Sequence, residues 1–235
     1  MNFVDIIIIL FIISCAIVGA KHGIIKQAAY FIGTFLSFVL AFYLKDYLAN
    51  FLSYTFPFFK FSGSIEGLVS LNILIYQFIA FGIILSICSI LSGLFVKVAS
   101  MIENLLTATI ILSIPSRILG FIFGIIEGYL VVFIVLFVLS QPFINFKYVN
   151  NSKFKDPILN SSPVISSIIK DTNNTAHEVY SLVNDYKKDK DKDKFNRNCI
   201  DIMLSKKIIK VGYVKKLVKL NKLNVPKLNT VIDKY

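Results

Sequence analysis

Residues 71–96 read LNILIYQFIAFGIILSICSILSGLFV, twenty-six positions without one charged side chain. A hydrocarbon core about 30 Å thick is crossed by roughly 20 residues at 1.5 Å rise each, so Leu71–Val96 is long enough to span it. A water-soluble helix of that length needs a solvated face, and this one has none. Working outward, three further windows meet the same test: Phe3–Ala20, Ile24–Leu44 and Leu119–Leu139. The fold class expected is all-α, a polytopic membrane bundle of about four transmembrane helices occupying residues 1–140.

The charge distribution supports that division. The chain carries a formal charge of +11, but residues 1–140 hold six Lys/Arg against five Asp/Glu, whereas residues 141–235 hold nineteen against nine. A domain boundary is therefore expected after Leu139–Ser140, followed by a basic, polar C-terminal tail. Within the tail, periodic apolar residues (Val164, Ile165, Ile168, Ile169, Val179, Leu182 and Val183) predict a helix over 161–186. The run Lys187–Lys194 alternates Lys and Asp and reads as a solvated linker. Ser205–Leu223 then sets Ile208, Val211, Val214, Leu217 and Val218 at helical spacing among seven lysines, a basic amphipathic helix. Three uses stand open for it: packing on the preceding helix, lying on anionic lipid, or binding nucleic acid. Without an aromatic platform or Arg-rich face, nucleic acid is not an expected partner.

Other stretches are less plain. Met1–Asp5 has no basic residue, so the first span is expected to be retained instead of cleaved as a signal peptide. Only Lys21, His22 and Gly23 separate the first two spans, which demands a tight hairpin eased by Gly19 and Gly23. The aromatic connector Lys45–Ser70 suits a membrane interface. Val98–Ser116, interrupted by Glu103, Asn104, Thr107 and Thr109 and ending near Pro115, reads as an interfacial or re-entrant helix, with a fifth span as the alternative.

Few residues carry chemistry. Gly120, Gly124 and Gly128 repeat every fourth position and line one helix face, as Gly33 does more loosely with Ser37 and Ala41; such faces admit a close second helix and offer a route to homo-oligomers. Glu127 lies among the glycines, where a charge must face the bundle, be neutral or pair with a cation; Lys26, Lys97 and Arg117 are the available partners. An ion or proton relay is the functional reading of Glu127 and a structural pair the bland one, since no second acid or histidine is evident on a neighbouring span. Asp5 is expected to cap the first helix. Cys15, Cys88 and Cys199 lie far apart with only His22 and His177 for company, so no metal site, cofactor or disulfide framework is expected. HExxH, GxSxG, P-loop and GxGxxG motifs are all missing, and the chain is not expected to be an enzyme.

The order of these features resembles the CvpA family, the colicin V production membrane proteins. The opening NFVDIIIILFIISCAIVGAKHGIIKQ (2–27), the stretch PSRILGFIFGIIEGYLVVFIVLFVL (115–139) and the segment NSSPVISSII (160–169) carry the likeness, over about residues 2–170. The resemblance implies a multi-pass protein of the bacterial inner membrane, with lipid and envelope or secretion proteins as partners, and a part in colicin V (toxin) production, export and cell-envelope maintenance. Relatives fused to a periplasmic protease imply that both termini lie outside. Glu127 departs from the family pattern, which usually has a basic or neutral residue there, and the tail is longer than in short members.

Overall fold

The computed structural model describes residues 2–106, 110–141, 146–161 and 163–235, with backbone alone at 105–106, 110–113, 147 and 163–173. Among them the regular elements are helices: α1 (Phe3–His22), α2 (Ile24–Thr55), a 3-10 turn (Gly63–Ile65), α3 (Leu71–Leu106), α4 (Ile110–Leu139), α5 (Lys147–Asn150), α6 (Lys155–Ser161), α7 (Pro163–Asp189), α8 (Lys192–Ser205), α9 (Val211–Lys219) and α10 (Asn229–Ile232). Four of them, α1 to α4, are long and apolar enough to cross a membrane. The all-α membrane bundle is thus the observed architecture.

The chain divides into two compact units, though not at residue 140. The first comprises Met1–Tyr43, Gly82–Ser140 and Ile144–Pro163; the second comprises Leu44–Phe81, Gln141–Phe143 and Val164–Tyr235. The reason lies in helix length. α2 has 32 residues and α3 has 36, about 48 and 54 Å of helix, well beyond a hydrocarbon core. The surplus at the end of α2 and the start of α3 joins the C-terminal helices.

In the first unit α1 and α2 meet at Gly23 alone, whose φ of +78° is a conformation glycine takes without strain. Aromatic rings fill the bundle: Phe38 is fully buried, with Phe133 and Phe137 edge-on at 6.3 and 6.4 Å. The outer face is apolar, with Ile90 76%, Phe95 74% and Met101 68% exposed. A face of that kind is a liability in water and a requirement in lipid. After α4 the chain returns through α5 and α6, where the Tyr129 hydroxyl donates to Ile158 O (3.1 Å).

The second unit has its own core. Leu68, Leu71 and Ile73 are buried with Val179 and Val183 of α7, Phe195, Ile200 and Met203 of α8, and Val214 and Leu217 of α9. Polar side chains stitch the connector to the tail. Asn196 Oδ1 accepts from the Ser70 N–H (3.0 Å) and hydroxyl (2.8 Å) while its Nδ2 donates to Gly67 O (2.9 Å), and Tyr186 donates to Glu66 O (2.9 Å). The Lys222 ammonium, half-buried against the end of α2, donates to the carbonyls of Ser53 (2.7 Å), Tyr54 (2.8 Å) and Phe56 (2.7 Å).

Several expectations are corrected here. No separate helix occupies 98–116: residues 98–106 end α3, residues 110–116 begin α4, Pro115 lies inside α4, and Thr107 and Thr109 fall outside the described residues. Glu103 reads as an interruption but is buried in a hydrogen-bonding role, so the helix continues through it. The helix expected over 161–186 is α7, reaching Asp189, and the side chains of Val164, Ile165, Ile168 and Ile169 lie outside the described residues. The supposed linker 187–194 is a helix–helix joint, with Lys190 at φ 57° and Asp191 capping α8 through the Lys194 N–H (2.9 Å). The helix expected over 205–223 is broken: a turn with Lys207 at φ 56° separates α8 from α9, and the N–H groups of Ile208 and Ile209 return to Met203 O. Finally, Tyr54, Phe58 and Phe61 of the connector pack on this core, so only part of its aromatic content, including Phe51, Phe56 and Phe59, is exposed.

Candidate functional site

The single-residue joint at Gly23 creates a problem that organises the bundle. The first N–H groups of α2 have no intrahelical acceptor, and a glycine before them offers no side-chain oxygen. In lipid such orphans cost several kcal/mol. Two side chains from other helices supply the caps: Glu103 Oε2 of α3 accepts from the Ile25 N–H (2.7 Å), and Ser116 Oγ of α4 accepts from the Ile24 N–H (2.9 Å). The Ser116 hydroxyl in turn donates to Glu103 Oε1. A carboxylate there also faces the positive end of the α2 dipole. Gly23 is required twice, since a Cβ would run into that carboxylate.

α1 and α4 touch backbone to backbone. A Cβ on Gly19 would stand 2.9 Å from Gly124 Cα, one on Gly124 3.0 Å from Ala16 Cα, and one on Gly128 2.9 Å from Cys15 Cβ. Gly120 faces the Gly19 carbonyl and Gly23. The fourth-residue glycine period therefore seats α1 of the same chain, and this face is not free to receive a second copy. Gly33 does the same between α2 and α3, where its Cβ would meet Ser92 Cβ at 2.8 Å.

Glu127 is half-buried one residue from the seam and accepts from Gln27 Nε2. Gln27, 1% exposed, places its Oε1 3.1 Å from His22 Nδ1; the amide oxygen only accepts, so the ring nitrogen donates. The imidazole stacks on Tyr30 at 5.2 Å. The result is a polar chain, His22–Gln27–Glu127, across α1, α2 and α4. It supplies the neighbouring histidine that the sequence did not place near Glu127. Among the described residues no ion pair joins Glu127 to Lys26, Lys97 or Arg117; Lys97 and Arg117 are exposed and Lys26 is half-exposed.

Asp5 has two tasks. Its Oδ2 accepts from the Asn2 N–H (2.7 Å) at the start of α1, and its Oδ1 accepts from the Ser152 hydroxyl (2.6 Å) and the Lys153 N–H (3.0 Å). The carboxylate thus fastens the segment after α4 to the head of α1. Sequence reasoning missed Glu103, Ser116, Gln27 and Ser152. The one available signal was the side-chain-free joint at Gly23, which requires a cap from elsewhere without saying from where. Among the described residues no three of His, Cys, Asp and Glu converge as a metal site.

Fold and site together define a polytopic helical membrane protein, sealed along glycines, whose intramembrane polar groups bind one another and the backbone. The chain belongs to the family described as Colicin V production protein, whose model matches residues 4–163. That range covers α1 to α6 and stops where α7 begins. Neither the curated proteins nor the solved structures contain a match.

Proposed function

We propose that the protein is a non-enzymatic accessory or scaffold factor of the bacterial inner membrane, serving toxin production or export and envelope maintenance through the proteins it contacts. The supporting observation is how the bundle uses its acids. Glu103 caps α2, Asp5 latches the return segment and Glu127 holds Gln27, so all three accept bonds that maintain architecture. Family membership supplies the physiological setting. Photocrosslinking in native membranes, followed by identification of neighbours, tests this reading. Recurrent capture of envelope or secretion proteins supports it, and capture of none above an unrelated membrane protein sinks it. Both termini are proposed to lie on the periplasmic side; alkaline phosphatase fused after Tyr235 should then be active, and an inactive fusion reverses the topology.

The His22–Gln27–Glu127 chain favours one second reading, a proton or small-ion conduit. Histidines and acids inside a membrane are the ordinary material of such paths, and here the Gln27 amide bridges one of each. Purified protein in liposomes should then pass protons, and Gln27→Leu, which cuts the chain in the middle, should abolish the flux. Equal flux from Gln27→Leu and the parent protein removes the conduit.

A further inference from the structure

The basic charge of the second unit is concentrated in one segment. Residues 163–201 hold seven Lys/Arg and seven Asp/Glu, with Lys188 near Asp185 (3.9 Å) and Lys194 on Asp189 (3.0 Å). Residues 202–232 hold eight lysines and no acid. Lys206 reaches Glu178 (3.1 Å) and Lys222 caps α2, leaving Lys207, Lys210, Lys215, Lys216, Lys219 and Lys227 exposed with no carboxylate partner among the described residues. The opposite face of α9 is consumed by the core through Tyr213, Val214 and Leu217. The exposed charges of this segment are therefore of a single sign, and they repel one another unless a polyanion neutralises them.

Two observations identify the polyanion's chemistry. First, the segment is fixed to the end of a membrane-crossing helix: Lys222 holds three carbonyls of residues 53–56, the Tyr213 ring lies 5.5 Å from Tyr54, and Lys216 Nζ stands 4.1 Å over the Tyr54 ring. Second, α2 presents exposed aromatic rings one turn apart, Tyr43, Tyr47 and Phe51, at 62, 76 and 59%. Rings of this kind at the end of a span sit at headgroup level. A lysine face attached to that helix works at high effective concentration of headgroups. We infer that Lys207, Lys210, Lys215, Lys216, Lys219 and Lys227 form a docking surface for anionic phospholipid headgroups of the leaflet at which α2 ends. This holds whether the bundle acts as scaffold or conduit.

The test uses the full chain in lipid nanodiscs, either of phosphatidylcholine alone or with a third phosphatidylglycerol. Lysines are acetylated and read by peptide mass spectrometry. The six lysines should react roughly threefold or more slowly in the anionic discs, recover in high salt, and leave Lys187 and Lys188 unchanged as internal controls. Equal reactivity in the two discs overturns the proposal. So does equal protection in both, which would mean that protein covers the face, or stronger protection by an RNA oligonucleotide than by phosphatidylglycerol. A fourfold variant, Lys207→Gln, Lys210→Gln, Lys215→Gln and Lys219→Gln, alters only exposed positions. It should lose several-fold in capture by phosphatidylglycerol vesicles while Cys199 stays unreactive; undiminished capture again overturns the surface.

Discussion

The two ends of α2 solve the same problem in different solvents. At its start, inside the membrane unit, orphan N–H groups are met by Glu103 and Ser116; at its end, in the polar unit, orphan carbonyls are met by Lys222. Both caps come from far along the chain, 78 residues away for Glu103 and 169 for Lys222. The charges match the helix dipole at each end, an anion at the N-terminus and a cation at the C-terminus. What differs is the alternative on removal. Water replaces a lost lysine at the polar end, whereas nothing replaces a lost carboxylate between packed helices. The membrane unit should therefore tolerate substitution far less than the polar one.

The glycine seam gives the largest expected effect. Gly120→Leu forces α1 and α4 apart along backbone contacts that cannot yield by a rotamer change, and should cost about 3 kcal/mol or more. Gly93→Leu lies in the same bilayer but at an open position, with nothing among the described residues within 4 Å of its Cβ. It should leave stability within about 0.5 kcal/mol. Unfolding in mixed micelles by increasing dodecyl sulfate compares the two. Comparable losses would mean that the seam is not what holds the bundle, and the contrast between units would fall with it.

Glu103 comes next. Glu103→Ala strands the Ile25 N–H and frees the Ser116 hydroxyl, an expected loss of about 2–3 kcal/mol, while Glu103→Gln keeps one acceptor oxygen and should lose about half as much. If the alanine variant unfolds at the parent's detergent concentration, water reaches that helix end and replaces the lost carboxylate as it replaces a lost lysine at the other end.

How much of this the sequence disclosed depends on the solvent too. The spans were legible because lipid permits almost nothing but long apolar helices, and the glycines because a period of four marks one helix face. The alliance of the connector with the tail was hidden. Val214, Leu217 and Val218 repeat at a spacing that serves a lipid surface, a partner or an intramolecular core equally well, and only the fold shows the first two fully buried and Val218 packed beside them. The KDKDKDK run concealed a helix joint because capping by Asp191 is set by a single backbone turn, which composition cannot reveal. Glu103 was hidden for a related reason: one acid in an apolar run looks like an interruption until its acceptors are matched with donors on another helix.

At the polar end of α2 the expected effect is smaller. Lys222→Ala exposes three carbonyls that water can reach, a loss of about 1 kcal/mol. Burial pushes the Cys199 thiol up to about 12, so it stays unreactive at neutral pH until the polar unit opens. The rate of Cys199 alkylation, resolved from Cys15 and Cys88 by peptide mass, therefore reads opening of this unit alone. Lys222→Ala should raise that rate roughly fivefold, and Glu103→Ala should leave it nearly unchanged. A large rise in the Glu103 variant would show that the two units open together and end the distinction between them.

The smallest effect is a pH dependence at the joint between α7 and α8. The Lys194 ammonium (3.0 Å), and after it the Asp191 N–H (3.1 Å), hold the Asp189 carboxyl below its ordinary value of 3.8. A carboxyl depressed on folding contributes stability above its unfolded value and loses it as pH falls through the folded one. The joint should therefore loosen only below about pH 4, and only slightly, because both side chains face water and the pair is screened. In Asp189→Asn the acid-side increase in Cys199 alkylation should be smaller than in the parent chain when both are measured after equal acid pulses. An identical acid limb in the two proteins would mean that the Asp189–Lys194 pair contributes nothing to closure, leaving Asp191 as the residue that sets the turn.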